Sequence, residues 1–500
     1  MEFIEYLPQV FTPWNFLVLT VGTIGGLLLG ATPGLSPTMA VALLIPFTFH
    51  MDATSGLVLL GAVYTATVAG GAVSAILVNI PGAPANIATI MDGYPMAKQG
   101  RATEALHYCF ISSFVGGLIG VVILIFFTPV LADFALTFGP AELFWMAILG
   151  VTVIGSLGAK SVVKGLLAGA AGLWISMIGF SPVLGVERFV FTDDLAGGIN
   201  IIAALIGLFA IPQVLTMLET AKRPSKTKFF EMENHSVWAS MRYNLSRLKA
   251  LMIGSGVGAF VGIIPGAGGQ IAGLIAYDQT KKFSRNSDNF GKGEPDGLIA
   301  AESANNAMVG PSLVPLLTLS VPGSPTAAVL LGGLLINGLF PGPDLFTVHA
   351  AVTWTFIDSL LVGQLLMMVF GLYISRYSRF VTRIPSHYMA AAVTVLAVFG
   401  TYSVQNSFSD VLVMMTLGTA MYFLMKVGFS PAPLVLGIIL GPIAETNFAQ
   451  GRMIAESGDG LIPYFFTGTV NLLLIAFCAL SIGYSIYAEI RASLKRRNAR

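Results

Sequence analysis

GTIGGLLLGATPG, at residues 22–34, reveals an internal repeat, because a similar stretch, GSGVGAFVGIIPG, follows at residues 254–266, 232 residues further on. In both stretches three glycines spaced four residues apart lead into a Pro-Gly pair. Glycines at this spacing favour close packing of membrane helices, whereas a Pro-Gly pair removes a backbone donor and interrupts a helix. The sequence therefore predicts two copies of one unit, each built on an apolar helix that stops at a break.

Two further pairs of motifs extend the repeat. NIPGAPA (79–85) matches SVPGSPT (320–326), and IMDGYP (90–95) matches INGLFP (336–341) with one residue fewer between isoleucine and glycine. Each copy therefore contains a second Pro-Gly break, and the repeat covers a large part of both halves of the chain.

The charges at the ends of the two copies differ in sign. The first copy leads from an acidic N-terminus to Lys98 and Arg101, whereas the second leads from a basic segment that ends at Lys249 to the acidic Asp344. Because lysine and arginine concentrate in cytoplasmic loops, we expect the copies to cross the membrane in opposite directions. Inverted repeats with interrupted helices are typical of secondary transporters that bind substrate near the middle of the membrane.

Composition places the chain in a membrane. Only 10% of its residues are charged and 55% are hydrophobic, whereas a soluble domain is about 25% charged. Apolar runs of about 20 residues, the length of a membrane crossing, recur along the chain. We predict an all-α polytopic membrane protein with two inverted-topology repeats and about 11 to 12 spans, plus short or re-entrant pieces at 35–49, 324–340 and 431–444.

Basic residues divide the chain into segments and set its orientation. They cluster between Lys222 and Lys249, between Lys281 and Lys292, and in the tail, so we expect these stretches to be cytoplasmic. The N-terminus carries two acids and no base, so we expect it to be periplasmic. No extracytoplasmic domain is predicted. The predicted organisation is a first membrane half, a basic cytoplasmic linker, a second membrane half and a basic cytoplasmic tail, at 1–218, 219–249, 250–488 and 489–500.

Four Pro-Gly breaks lie in apolar surroundings, in TPGLSPT (32–38), NIPGAPAN (79–86), IPGAGGQ (264–270) and SVPGSPTA (320–327). Irregular backbone at membrane depth is tolerated only where it is buried in protein or lines a cavity. A helix that restarts after a break presents free N–H groups and a positive dipole end, worth about 1 kcal/mol to an anion. We therefore predict a carboxylate site formed by Pro33, Gly34, Ser36, Thr38, Asn79, Gly82, Asn86, Gly266, Gly268, Gly269, Gln270, Gly323, Ser324 and Thr326. The alternative for any single hydroxyl or amide among them is that it caps a helix or bonds to neighbouring backbone.

Polar residues also interrupt the apolar helices themselves. Glu302, Asn305 and Asn306 share one face of a helix, which indicates either the wall of a cavity or hydrogen bonding between helices. Asp358 is an intramembrane acid, and such a group is a functional candidate by default. Glu302 and Asp358 are the candidates for proton coupling, while carbonyls and amides at the breaks are candidate ligands for Na⁺.

Motifs for other chemistry were not found in the sequence. The two cysteines and five histidines are scattered, with no metal-ligand spacing, and no phosphate-binding loop of the Walker type is present. We therefore predict no catalytic residue, no resident metal and no cofactor apart from a coupling cation. The net charge of +1 gives no sign of a nucleic-acid partner.

Three blocks carry a resemblance to a known family: GATPGLSPTMA (30–40), GIIPGAGGQIAGLIAYDQTKKFS (262–284) and FGKGEPDGLIAAESANNAMVGPSLVPLLTLSVPGSPTAAVLLGGLLINGLFPGP (290–343). In these blocks the sequence resembles the large membrane subunit, TctA, of the tripartite tricarboxylate transporters. The resemblance implies a bacterial inner-membrane importer in which this subunit forms the translocation path. It also implies a small TctB-like membrane subunit and a periplasmic TctC-like solute-binding protein. Cargo in this family ranges from citrate and other tricarboxylates to dicarboxylates and aromatic acids.

Two functions compete at this point. Bringing a trianion into a negative cell interior costs about 7 kcal/mol per 100 mV, so import requires symport of Na⁺ or H⁺. The alternative is a passive organic-anion channel or a membrane scaffold without transport, in which the breaks are only kinks. That alternative predicts no dependence on a counter-cation and no saturation, and the inverted repeat weighs against it.

Overall fold

The computed structural model describes residues 2–157, 161–181, 183, 185–220, 233, 235–266, 268–377, 385–458 and 460–498. Within these ranges the chain is almost entirely helical. The one sheet among them is an antiparallel pair of two-residue strands, β1 (Gly179–Phe180) and β2 (Glu187–Arg188). The prediction of an all-α polytopic membrane protein is confirmed.

The described part of the first half contains nine helices, which are α1 (Glu2–Val10), α2 (Pro13–Ala31), α3 (Pro37–Thr48), α4 (Ala53–Val78), α5 (Ile87–Lys98), α6 (Ala102–Ala135), α7 (Pro140–Leu157), α8 (Val162–Ser176) and α9 (Ile201–Thr220). Short 3₁₀ turns precede α5 and α9, at Pro84–Asn86 and Asp193–Leu195. The breaks predicted at 32–38 and 79–86 therefore separate α2 from α3 and α4 from α5.

The described part of the second half contains the helices α10 (Val237–Ser246), α11 (Leu248–Ile263), α12 (Gly268–Phe283), α13 (Pro295–Ala307), α14 (Val309–Leu319), α15 (Pro325–Ile336), α16 (Asp344–Thr347), α17 (Ala350–Ser375), α18 (Ser386–Gln405), α19 (Phe408–Lys426), α20 (Pro431–Glu456), α21 (Leu461–Phe466) and α22 (Thr469–Asn498). A 3₁₀ turn at Ser287–Asn289 lies between α12 and α13. The other two predicted breaks separate α11 from α12 and α14 from α15.

Eight of the described helices are long and apolar enough to cross a membrane, namely α2, α4, α6, α9, α17, α18, α19 and α20. A bent pair, α10 and α11, raises the number to nine if it counts as one span. The predicted 11 to 12 spans also include α7, α8 and α22, whose apolar stretches within the described residues, Pro140–Val153, Val162–Ile175 and Thr469–Gly483, are shorter than 18 residues. The run at 431–444, which was predicted to be a short or re-entrant piece, belongs to the 26-residue helix α20, which continues to Glu456.

The glycine row of the first copy brings α2 against α4. A Cβ atom added at Gly22 would lie 3.0 Å from the Cβ of Ala62, and one added at Gly30 would lie 2.4 Å from the carbonyl oxygen of Thr67. Larger residues would push the helices apart, so this row serves close packing. The contacts advance together along both helices, so α2 and α4 run parallel.

The glycine row of the second copy packs in the same way. A Cβ added at Gly254 would lie 2.5 Å from the carbonyl oxygen of Ala300, and one added at Gly262 would lie 2.7 Å from that of Met308. Met308 is also the residue at which α13 passes into α14. Consequently α11 runs parallel to the segment formed by α13 and α14, as α2 does to α4.

The two parallel pairs run in opposite directions through the protein. The hydroxyl of Tyr64, in the middle of α4, lies 3.2 Å from that of Ser312 in α14. Near the end of α4, a Cβ added at Gly93 of α5 would contact both Ile76 and Leu298 at the start of α13. The end of α4 therefore lies beside the beginning of α13, and the largest buried apolar cluster joins α3, α4, α9, α14, α15, α17 and α20 around this crossing.

Candidate functional site

A cavity of about 580 Å³ lies where the four breaks meet. Each break contributes residues to its wall, and ten of the predicted substrate-binding residues line it: Gly34, Ser36, Thr38, Gly82, Gly266, Gly268, Gly269, Gln270, Ser324 and Thr326. The remaining four, Pro33, Asn79, Asn86 and Gly323, lie in the same breaks but are not part of the lining. The structure thus brings together segments that are up to about 290 residues apart in the sequence.

The second break of each copy begins with the same backbone turn. Asn79 directly follows α4 and Ser320 directly follows α14, and both residues have a φ of 59° in the left-handed region. Non-glycine residues adopt this conformation rarely, and asparagine more readily than most. Asn79 therefore acts in turning the chain, and it does not face the cavity.

The glycines of these two turns also make matching contacts. The Gly82 N–H donates to the carbonyl of Gly71 at 3.3 Å, and the Gly323 N–H donates to the carbonyl of Ser312 at 3.1 Å. A Cβ added at Gly82 or Gly323 would lie 2.8 or 2.5 Å from a carbonyl oxygen of the neighbouring α2 or α11. Glycine is thus required at both positions because the returning chain touches the backbone of the helix beside it.

Ser36 and Ser324 occupy equivalent places at the start of a helix after a break. The Ser36 hydroxyl accepts from the Met39 N–H at 3.3 Å, and the Ser324 hydroxyl accepts from the Ala327 N–H at 3.1 Å. Both side chains are therefore N-caps, of α3 and α15. They also line the cavity, so each of these serines both caps a helix and forms part of the cavity wall.

Hydroxyl groups on one wall of the cavity are already paired with one another. The Tyr64 hydroxyl lies 2.9 Å from that of Ser324 and 3.2 Å from that of Ser312, and the Thr38 hydroxyl lies 2.9 Å from that of Thr326. These bonds connect α4 with the fourth break and the first break with the fourth. We call this wall the paired wall, because its hydroxyl groups bond to one another.

Asn305 on α13 is part of the cavity lining and has a different environment. Its side chain is 1% exposed, and neither Oδ1 nor Nδ2 has a hydrogen-bond partner in the described part of the chain. A Cβ added at Gly269 would lie 2.5 Å from Oδ1 and 3.1 Å from the Cβ of Ala85. Glycine at 269 thus lets the start of α12 approach both Asn305 and the second break.

Glu302, one helical turn before Asn305, and Asn306, the residue after it, do not line the cavity. Glu302 is fully buried and accepts hydrogen bonds from Thr89, from Ser113 at 3.2 Å and from the Asn86 amide at 3.5 Å. Asn306 donates to Ser113 at 2.8 Å. Of the two roles that the sequence leaves open for this face, Glu302 and Asn306 take hydrogen bonding between helices, and Asn305 takes the cavity wall.

Asp358 lies on α17, apart from the cavity. Its side chain is fully buried, and neither carboxyl oxygen has a hydrogen-bond partner in the described ranges. Its place as a coupling candidate therefore rests on burial alone. In the same ranges no group of three His, Cys, Asp or Glu side chains is arranged to hold a metal ion.

Three polar residues of the lining were not predicted from the sequence: Tyr64 of α4, Gln213 of α9 and Ser430 before α20. Ser430-Pro431 repeats the Ser-Pro pair that precedes α3 at Ser36 and α15 at Ser324. Ser430 could therefore have been predicted from this pair, although it lies outside the internal repeat. Tyr64 and Gln213 sit in uninterrupted helices. Nothing in their local sequence distinguishes them from packing residues.

The electrostatics of the cavity come from backbone and not from charged side chains. Among the described residues its lining contains no lysine, arginine, histidine, aspartate or glutamate. Four helices begin in its wall, α3, α12, α15 and α20, with Pro37, Gly268, Pro325 and Pro431 as first residues. Each helix start carries partial positive charge, and its first-turn N–H groups, apart from those of Met39 and Ala327 that bond to the capping serines, have no partner within the helix. The arrangement suits an anion of several charges.

The fold and the cavity together define a multi-pass membrane protein with a binding site at broken helices. Residues 16–436 match the model of the tripartite tricarboxylate transporter TctA family. The chain belongs to this family, which is a family of transporters, not of enzymes, and whose name denotes a system of several subunits with a carboxylate substrate.

Two curated relatives come from Agrobacterium vitis. One is an uncharacterized 52.8 kDa protein of the TAR-I ttuC′ 3′ region, 33% identical over 484 residues that cover 96% of this chain and 95% of the relative. The other is an uncharacterized protein of the TAR-II ttuC′ 3′ region, 34% identical over 236 residues that cover 47% of this chain and 96% of the relative. The first similarity extends over practically the whole chain.

Proposed function

We propose that this chain is the large permease subunit of a binding-protein-dependent secondary transporter, which imports citrate-like tricarboxylates or related carboxylates across the bacterial inner membrane by Na⁺ or H⁺ symport. The observation that carries the proposal is the cavity in which four broken segments meet and four helices begin. Membership in the TctA family supports the same class of substrate.

The lack of charged side chains in the described lining bears on the coupling. Each helix start stabilises an anion by about 1 kcal/mol, which favours binding but leaves the complex with a net negative charge. A carboxylate of two or three charges therefore needs co-transported cations to cross against the membrane potential. Backbone carbonyls and amides at the breaks are the proposed Na⁺ ligands, and Glu302 and Asp358 are the proposed proton sites.

We also propose that the two copies are inverted repeats that provide alternating access. Support comes from the opposite directions of the parallel pairs α2–α4 and α11–α13/α14, and from the matching turns at Asn79 and Ser320. Transporters with this symmetry alternate between two states, each of which opens the site to one side of the membrane. The cavity at the crossing is the expected position of such a site.

The proposed partners are a small TctB-like membrane subunit and a periplasmic TctC-like solute-binding protein. The proposed orientation places the N-terminus in the periplasm and the basic segments, including the C-terminal tail, in the cytoplasm, as their lysines and arginines favour. The linker assignment at 219–249 partly covers residues outside the described ranges and includes α10.

Uptake into proteoliposomes tests the proposal. The chain is reconstituted with its small membrane subunit, and labelled citrate and a panel of other carboxylates are supplied with or without the binding protein, under an imposed Na⁺ or H⁺ gradient. We expect saturable uptake that requires the binding protein and one of the gradients. Flux that is indifferent to both would instead support a passive organic-anion channel.

A further inference from the structure

The polar groups of the cavity are unequally satisfied. On the paired wall, the hydroxyls of Tyr64, Ser324, Thr38 and Thr326 bond to one another. At the start of α12, in contrast, the Asn305 amide is 1% exposed and has neither its donor nor its acceptor paired within the described residues. Burial of an unpaired amide is costly, so Asn305 favours a partner that enters the cavity at this point.

The chemistry of the amide limits what completes it. A carboxylate by itself only accepts hydrogen bonds and leaves Oδ1 unpaired, and a cation by itself at Oδ1 leaves the NH₂ group unpaired. A hydroxyl both donates and accepts, so it can satisfy both ends of Asn305. The conclusion does not depend on how the oxygen and nitrogen of the side chain are assigned, because either orientation presents one acceptor and one donor group.

The start of α12 lies directly beside this amide. Gly268, Gly269 and Gln270 begin the 16-residue helix and line the cavity, and a Cβ added at Gly269 would lie 2.5 Å from Asn305 Oδ1. The first-turn N–H groups of a helix have no partner within the helix and favour an anion. A carboxylate at these amides would thus have its neighbouring carbon near Asn305.

From these contacts we propose that Asn305 recognises a hydroxyl group next to the carboxylate bound at α12, so that hydroxylated di- and tricarboxylates are preferred over their deoxy analogues. The inference rests on the proposed function and specifies its substrate class. Asn305 is thereby a specificity-determining residue, while the paired wall contributes to binding of both kinds of substrate.

The test measures binding to the purified full chain in nanodiscs at fixed Na⁺ concentration, because a separate binding protein would impose its own selectivity. Two pairs of probes differ by one hydroxyl: citrate against tricarballylate, and malate against succinate. We expect the wild-type chain to bind the hydroxylated member of at least one pair tenfold or more tightly. In Asn305→Leu this preference should fall below twofold, with the affinity for the deoxy member nearly unchanged.

Thr38→Val is the matched control, because it removes a cavity hydroxyl that is already paired with Thr326. It should keep the ratio of affinities even where it changes both values. If Asn305→Leu does not fold, Asn305→Ala serves in its place with the same expected loss of preference.

Three outcomes separate the two proposals. Equal affinities within both pairs for the wild-type chain would overturn the role of Asn305 while leaving carboxylate transport intact. A preference that persists in the Asn305 variants would do the same. Absence of binding for every carboxylate would overturn the proposed function and this inference with it.

Discussion

Glu302 affects the cavity without lining it. The Ala83 N–H, in the cavity wall, donates to Asn86 Oδ1 at 3.2 Å, and Asn86 Nδ2 in turn donates to Glu302. The buried carboxyl also binds Thr89 and Ser113, which attach it to α5 and α6. Glu302 is therefore a positioning residue that fixes the second break through Asn86.

Removal of the Glu302 carboxyl should disturb this break. In Glu302→Gln we expect a several-fold rise in the apparent KM for uptake, because one acceptor position becomes a donor facing Thr89 or Ser113. In Glu302→Ala we expect an additional loss of stability of about 1–3 kcal/mol from unpaired buried donors. Uptake kinetics and thermal unfolding check both, with the exposed Asp288→Asn as control. An unchanged KM in both variants would disprove the positioning role.

Asp358 offers a separate test of proton coupling. Since it lies outside the cavity lining, we expect Asp358→Asn to leave carboxylate binding within about twofold and, if protons drive uptake, to abolish the response to a pH gradient. Binding by the purified chain and gradient-driven uptake are measured side by side. A full response to the pH gradient in the variant would remove Asp358 from the coupling path.

At the scale of the helical elements, the tight turns depend on glycine. Gly34 has a φ of 87°, and a Cβ there would lie 3.0 Å from Gln213 Nε2 in the cavity wall. We expect Gly34→Val to abolish uptake while the protein still inserts in the membrane. Gly338→Val is a matched control, because Gly338 has a φ of 72° with open space around it and lies outside the cavity lining.

Both variants carry the backbone strain of a side chain at positive φ, about 1–2 kcal/mol. If both variants lose a similar amount of stability and only Gly34→Val loses transport, the loss of transport arises from the change in the cavity. If Gly34→Val takes up carboxylate as well as Gly338→Val does, the first break is not part of the binding site.

The caps of α3 and α15 provide a second comparison between elements. Ser36 and Ser324 each cap a helix, but only Ser324 also bonds Tyr64. We expect both alanine variants to lose about 0.5–2 kcal/mol of stability, and Ser324→Ala to weaken carboxylate binding more than Ser36→Ala does. Melting temperatures and binding constants are compared. Equal affinities in the two variants would show that the bond to Tyr64 has no part in binding.

At the scale of the whole molecule, the breaks and their pairing were predictable, and the directions of polar side chains were not. Pro-Gly pairs and the glycine rows led from sequence to four breaks, because their backbone requirements are local. Helical spacing placed Glu302 and Asn305 on one face, yet one points to the second break and the other into the cavity. That difference arises from packing against Asn86 and Gly269, which lie far from α13 in the sequence.

Other features escaped prediction for the same reason. Tyr64 reaches the cavity from an unbroken helix, and its role depends on Ser312 and Ser324, about 250 residues away. A run of apolar residues has the same composition whether its helix is continuous or divided, so the sequence did not show that α13 ends and α14 begins near Met308. The helix α20 is longer than the predicted piece at 431–444, because polar residues continue the helix beyond 444.

Protection of a cysteine in the cavity by substrate is the most direct measurement of whether the four breaks form the binding site. Ser430→Cys places a thiol in the lining, and the native Cys109 and Cys478 are buried. We predict that a transported carboxylate with its coupling cation slows thiol labelling at 430 at least tenfold and leaves labelling of the exposed Ser457→Cys unchanged. Labelling at 430 that is unaffected by carboxylates which the same variant still transports would contradict the assignment.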